Sequence, residues 1–205
     1  LIRWQDKELT LPPGTSVRDC LAALGISEGA LAAMRGGQVL ELNETLREDS
    51  ELNPITLRHE EGRRIYERCL RMMMLLAVRR LYPGEQVRIE YSAGHGVFVR
   101  LPRLSLSEGM VAEIEQEMRR IADAGLPFEK RCWALEDAIA YFEAEGQQDK
   151  VELLHYRPFP YFNMYRLGNL WDYFYGAMTP STAWVPGVRI PISRAMAEAV
   201  TTGPL

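Results

Sequence analysis

Long apolar runs are missing from this 205-residue chain, and none approaches the roughly 18 residues a membrane-crossing helix needs. No signal-peptide pattern is read at the start. Cysteine is scarce: Cys20, Cys69 and Cys132 are far apart and form no CxxC, which argues against a disulfide framework or a zinc ribbon. An odd count with two thiols in apolar stretches fits reduced cysteines in a cytoplasmic protein. Excess positive charge is also missing. With 24 Lys and Arg against 28 Asp and Glu, the net charge is −4, so bulk charge does not recruit nucleic acid. No GxxxxGK[ST] occurs, and therefore no loop of backbone N–H groups and lysine to hold nucleotide phosphates. The chain opens on Leu1 and closes on TTGPL, as expected of a piece of a longer polypeptide.

What is present is ordinary globular composition, 47% hydrophobic and 25% charged, built around one segment. His59 to Gly84 predicts a long amphipathic helix. Ile65, Cys69, Met72 and Leu76 recur at helical spacing, with Tyr66, Leu70, Met73 and Ala77 beside them, so the apolar face is wide. Glu60 and Glu61 suit the positive end of the helix dipole, Arg79 and Arg80 the negative end, and Pro83-Gly84 the stop. The arginines along 63–80 read as a solvated face or as a local basic patch, and the Met72–Met74 run as core.

Before that helix the pattern is of short strands around one small helix. Leu1, Ile2 and Trp4, a turn at Gln5–Lys7, then Leu9 and Leu11 predict a hairpin. Pro12-Pro13-Gly14 turns the chain, Thr15 or Ser16 caps a helix bearing Val17, Cys20, Leu21 and Leu24, and Gly25 ends it. Gly36-Gly37 joins two further strands.

After it, Val87–Tyr91 and Val97–Leu101 predict strands about a Gly94-His95-Gly96 turn. Ser105 or Ser107 caps a helix with the stripe Val111, Ile114, Met118 and Ile121. Glu113, Glu115 and Glu117 lie off that stripe. Phe128–Trp133 reads as a strand, and Leu135 to Phe142 as a helix ending near Gly146.

The first helix, opening EEG and closing AVRRLYP, resembles that of the threonyl-tRNA synthetase amino-terminal editing domain. The preceding unit, with LPPGT at Leu11–Thr15, resembles the TGS domain in front of it. AIAYFEAEGQQDKVELL is similar to that family's helix, glycine and lysine-led strand. The resemblance implies an α+β chain: a small β-grasp (ubiquitin-like) unit, then an antiparallel sheet packed with helices. The implied boundaries are 1–58, 59–186 and a tail 187–205 with a helix at Ser193–Val200. The family's ligand set falls on Arg68 and Met72 for its HxxxH, and on Tyr165 and Asn169 for its CxxxH, after Tyr161-Phe162-Asn163-Met164. Arginine offers no lone pair, methionine is a weak soft ligand, and tyrosine is a weak base. Ester editing is therefore not expected.

RIYERCL, LPFEK and MYRLGNLWDYFYGAMTPST also resemble the front region of bacterial nucleoside kinases of the uridine kinase and phosphoribulokinase-like group. That likeness implies a non-catalytic amino-terminal region, with ATP and Mg required only where a kinase domain follows. It implies a cleft lined by Arg68, Met72, His95, Tyr161, Tyr165, Arg166 and Asn169, for a nucleotide, nucleoside or tRNA terminus. Two other readings stay open. One is an enzyme using His95, Asp172 or His155 as acid-base groups, and the other an interaction or dimerisation module. His95 also reads as a surface hairpin residue, and Tyr173 and Phe174 as core.

Overall fold

The computed structural model describes residues 1–26, 29–93 and 96–185. The expected tail helix and His95 lie outside them. The described residues form two compact units: residues 1–72, 122–128 and 175–185 in one, and 73–121 and 129–174 in the other. The architecture is α+β, mostly in small antiparallel sheets. No helix among the described residues is long and apolar enough to cross a membrane.

The first unit begins with β1 (Ile2–Trp4), β2 (Lys7–Leu9) and β3 (Thr15–Ser16), then α1 (Val17–Ala23). Next come β4 (Ala32–Arg35), β5 (Gln38–Glu41), β6 (Thr45–Leu46), β7 (Ser50–Glu51) and β8 (Asn53–Ile55). β1 lies antiparallel to β2 and parallel to β7, with Ile2 opposite Ser50. That parallel pair closes the β-grasp arrangement over α1. Ser16 is the cap, its hydroxyl oxygen accepting from the Asp19 amide at 3.1 Å, which satisfies a donor the helix start would otherwise leave open. Gly36 (φ +52°) and Gly37 (φ +86°) supply the left-handed turn that joins β4 to β5. Val17, Cys20, Leu21, Leu24, Leu40 and Leu52 form the buried centre.

α2 (Glu60–Leu81) contributes residues to both units. Its stripe behaves as the periodicity demands: Ile65, Cys69, Met72, Met73, Leu76 and Ala77 are fully buried. His59 Nδ1 accepts from the Thr56 amide at 3.0 Å, just ahead of the helix.

In the second unit β9 (Arg88–Ala93) pairs antiparallel with β10 (Gly96–Arg100). α3 (Glu108–Asp123) starts in the first turn after Ser107, whose hydroxyl accepts from the Met110 amide at 3.2 Å. β11 (Glu129–Ala134), α4 (Leu135–Ala144), α5 (Gln148–His155), β12 (Tyr161–Leu167) and β13 (Leu170–Asp172) complete it, with β12 central in a three-stranded antiparallel sheet. A short 3-10 turn at Thr182–Trp184 belongs to the first unit. The second core gathers Ala138, Phe142, Val151, Leu154, Phe162 and Met164, with Trp133, Tyr141, Trp171 and Tyr173 against it. Tyr173 is core, as read from the sequence: its ring meets Phe142 and Phe162 edge-on, each at 5.8 Å.

One expectation is corrected. The segment after Gly146 is a helix, α5, and not a lysine-led strand. Val151 and Leu154 are buried three residues apart, which a helix face permits, and Asp149 sits in the favourable first turn. Glu117 lies off the apolar stripe of α3, yet it does not face solvent. It is buried, and accepts from Arg80 at 2.9 Å and Arg120 at 3.3 Å.

Gly62 explains the EEG string physically. A Cβ there would sit 2.0 Å from the Thr56 carbonyl oxygen. An ordinary helical Gly→Ala change stabilises by about 1 kcal/mol, but here backbone blocks the methyl. Gly62→Ala is expected to lower stability by about 1–3 kcal/mol, read from the midpoint of a urea transition.

Candidate functional site

Arg68 is the one matched position that brings polar chemistry to the first unit. It sits two helical turns after Glu61 on α2, and its side chain is only 13% exposed. Each guanidinium nitrogen has a partner. Nη2 donates to Glu61 Oε1 at 2.6 Å, Nη1 to the Tyr175 carbonyl at 3.1 Å, and Nε to the Ala177 carbonyl at 3.0 Å. Between those carbonyls lies Gly176 at φ +118°, and a Cβ there would fall 2.6 Å from the Arg68 Cζ and Nη1 atoms. The guanidinium thus fills the space a side chain at 176 would need, in a backbone conformation that favours glycine.

The next residues of this strap are held as closely. Met178 donates its amide to Glu41 Oε1 at 3.1 Å. The Thr179 amide donates to Cys69 Sγ at 3.4 Å, and the Thr179 hydroxyl lies 3.4 Å from the same sulfur. The Pro180 carbonyl accepts from the Phe128 amide at 3.2 Å, and the Thr182 amide donates to the Leu126 carbonyl at 2.9 Å. Burial pushes the Cys69 thiol up from its ordinary range, against the smaller opposing effects of Thr179 and Arg68. The sulfur is therefore a neutral packing and hydrogen-bonding atom rather than a thiolate nucleophile.

Met72, the second matched position on α2, is fully buried. The remaining candidates lie in the second unit. Tyr165 is 1% exposed, in the middle of β12, opposite Lys130 and Asp172, with Lys130 Nζ 5.9 Å from its ring centre. Arg166 donates to Glu129 Oε1 at 2.5 Å and lies 5.7 Å from the Trp171 ring. Asn169 is exposed as the second residue of the two-residue turn between β12 and β13. Gly168 precedes it at φ +59°, as a type II′ turn requires. Tyr161 is 63% exposed at the start of β12. The structure therefore places Arg68 and Met72 together on α2, and Tyr161, Tyr165, Arg166 and Asn169 on one strand and its turn.

The acid-base candidates have structural company. Asp172 is buried, with both carboxylate oxygens 2.6 Å from Lys150 Nζ, while its Oδ1 accepts from the Tyr173 amide at 2.8 Å. His155 is exposed in the last turn of α5. No group of three or more His, Cys, Asp or Glu among the described residues is arranged to hold a metal ion. One residue beside Arg68 went unread in the sequence. Tyr175 is 70% exposed while its carbonyl is tied to Arg68, a contact 107 residues apart that no local pattern signals.

No protein-family profile matches the chain. It is similar to curated threonine–tRNA ligases over most of its length. It is 32% identical over 179 residues to that of Maricaulis maris, covering 84% of this chain and 27% of the relative. To that of Clostridium kluyveri it is 28% identical over 188 residues, covering 90% and 30%. To that of Acidiphilium cryptum it is 33% identical over 162 residues, covering 73% and 25%. The chain spans less than a third of the length of these relatives. This chain is thus a threonine–tRNA ligase-like region with an α+β fold.

The Arg68–Gly176 contact sets up a double-mutant test. Gly176→Ala alone is expected to cost about 2–4 kcal/mol, from the clash and from the left-handed backbone together. In an Arg68→Ala background the clash is gone and the backbone cost remains, so the increment falls to about 1–2 kcal/mol, measured by chemical denaturation. Cys69 sets up a second test. Its folded pKa is raised, so its contribution to stability is complete below the free-thiol pKa of about 8.5 and is lost as pH rises toward the folded value. Between about pH 8 and 10 stability is expected to fall with pH, and Cys69→Ala to make that fall shallower.

Proposed function

We propose that this chain is the non-catalytic amino-terminal region of a nucleoside (uridine) kinase-like protein. In this reading an editing-related, TGS-led scaffold, with boundaries near residues 58 and 186, binds a nucleotide, nucleoside or tRNA terminus and hydrolyses nothing. The observation that carries it is the state of Arg68. Where the resemblance puts the first histidine of an editing set stands a guanidinium whose three nitrogens are committed to Glu61 and two strap carbonyls. Such a group cannot accept a proton or ligate a metal. Buried Met72 and Tyr165 and the turn residue Asn169 supply no replacement base.

The kinase-like assignment draws support from the way its strings fit one another. RIYERC contributes Arg68 and Cys69, and DYFYGAMTPST contributes the carbonyls, the glycine and the threonine that receive them. ATP and Mg would serve a following kinase domain. A second reading, an interaction or dimerisation module, is favoured by one feature. Leu153, Tyr156, Phe159 and Tyr161 are each at least 63% exposed within nine residues of the second unit.

Incubation with mischarged tRNA is expected to give no deacylation above the uncatalysed rate, and turnover would overturn the non-editing reading. Thermal unfolding with uridine, UMP or a CCA-ended RNA hairpin tests binding, since a ligand at about 100 times its Kd adds about 2.7 kcal/mol of stability. Flat melting curves with a concentration-dependent dimer in sedimentation would favour the second reading. Sequencing the source gene beyond the Leu205 codon tests the parent: GxxxxGK[ST] between a strand and a helix supports it, and a nearby stop codon removes it.

A further inference from the structure

We infer that residues 156–161 form a stacking platform for the single-stranded end of an RNA. The inference rests on the ligand-binding reading above and names the class of ligand. Tyr156, Phe159 and Tyr161 are 88%, 64% and 63% exposed in the second unit. Among the described residues, none of these three side chains makes a hydrogen bond, an ion pair or a ring contact. Exposed apolar surface of this kind marks interaction sites. The backbone beneath the rings is ordered. The Arg157 amide donates to the Leu154 carbonyl at 3.0 Å, the Pro160 carbonyl accepts from the Leu135 amide at 2.8 Å, and Tyr161 pairs with Ala134 across β12 and β11. Pro158 and Pro160 fix φ at two positions and disfavour the helical region for Arg157 and Phe159. The segment therefore has little backbone freedom left to lose on binding.

The number and kind of these groups choose the ligand. A lone nucleoside covers one ring face, whereas a single strand lays successive bases on successive rings, because every base has a π face. Three unpartnered rings suit several nucleotides. A stable protein–protein interface draws on roughly 20 to 30 residues a side. The large exposed apolar side chains of this stretch are these three rings and Leu153, too few for a stable dimer. Charge agrees with the choice. From His155 to Tyr161 the chain carries Arg157 and no acid, so no carboxylate within the segment repels a phosphate. The one arginine lies 4.7 Å from the Phe162 ring, and stacking rather than bulk charge supplies the affinity.

Calorimetric titration of the full chain with three probes tests this: a CCA-ended RNA hairpin, the same hairpin cut back to a blunt end, and UMP. The CCA-ended hairpin is expected to bind at least about tenfold more tightly than either of the others. Tyr156→Ala, Phe159→Ala and Tyr161→Ala are each expected to weaken it by about fivefold to a hundredfold. Tyr156→Phe and Tyr161→Phe, which keep the ring, should stay within about twofold of the parent. Thermal unfolding of the alanine variants should match the parent, because the side chains removed are exposed, and this separates lost stacking from lost fold. The slope of log affinity against log salt is expected to be shallower than about −2, since few phosphates are neutralised. A steep slope with undiminished binding by the alanine variants would overturn the stacking role and leave the ligand-binding reading standing. UMP binding as tightly as the CCA-ended hairpin would overturn the RNA-end assignment alone. A concentration-dependent dimer that the alanine variants abolish would give the segment to a second copy and overturn the inference. Failure of all three probes to bind the parent chain would overturn both the inference and the reading beneath it.

Discussion

A guanidinium presents its donors in one rigid plane, and at Arg68 that plane is spent on organising chain rather than on chemistry. Glu61 anchors one edge from two turns earlier on the same helix. The other donors reach across 107 and 109 residues to the Tyr175 and Ala177 carbonyls. The strap's one strand-type pairing among the described residues is the Pro127–Ser181 bridge, so its earlier carbonyls take side-chain donors. Arg68 supplies two, and Cys69, Glu41, Leu126 and Phe128 meet the residues that follow. The glycine at 176 exists because the guanidinium occupies the space beside it.

A histidine at 68 would offer fewer donors and a shorter reach than the fork of an arginine. The arginine at 68 fastens α2 to the strap, and the glycine at 176 leaves it room. The second unit shows the same economy. Tyr165 is a buried sheet residue facing Lys130 and Asp172, and Asn169 is a turn residue, so each serves the strand that bears it.

Charge is placed by the same rule in the second unit. Lys150 and Asp172 bury together, with the ammonium 5.0 Å from the Phe142 ring and 5.9 Å from the Tyr173 ring. Glu117 takes two arginines, and Arg79 closes a two-pronged contact on Glu145. Removing the partners of buried Asp172 or Glu117 would strand a desolvated charge, which is the costly outcome. Asp172, Glu117 and Glu145 are each ion-paired within the fold.

The sequence by itself determined the long helix, its buried stripe, the capped small helix and the glycine-turned hairpins. Each of these rests on near neighbours in the chain, three or four residues apart on a helix or two apart in a turn. It also placed arginine, methionine, tyrosine and asparagine at positions 68, 72, 165 and 169. Tertiary structure decided the rest. The helix after Gly146 looked strand-like until Val151 and Leu154 found one core, and nothing local signals that Glu117 is buried against Arg80. The contact of Arg68 with the carbonyls on either side of Gly176 came only from folding. A guanidinium's partners are fixed by where a strap more than a hundred residues away comes to rest, and no local periodicity encodes that.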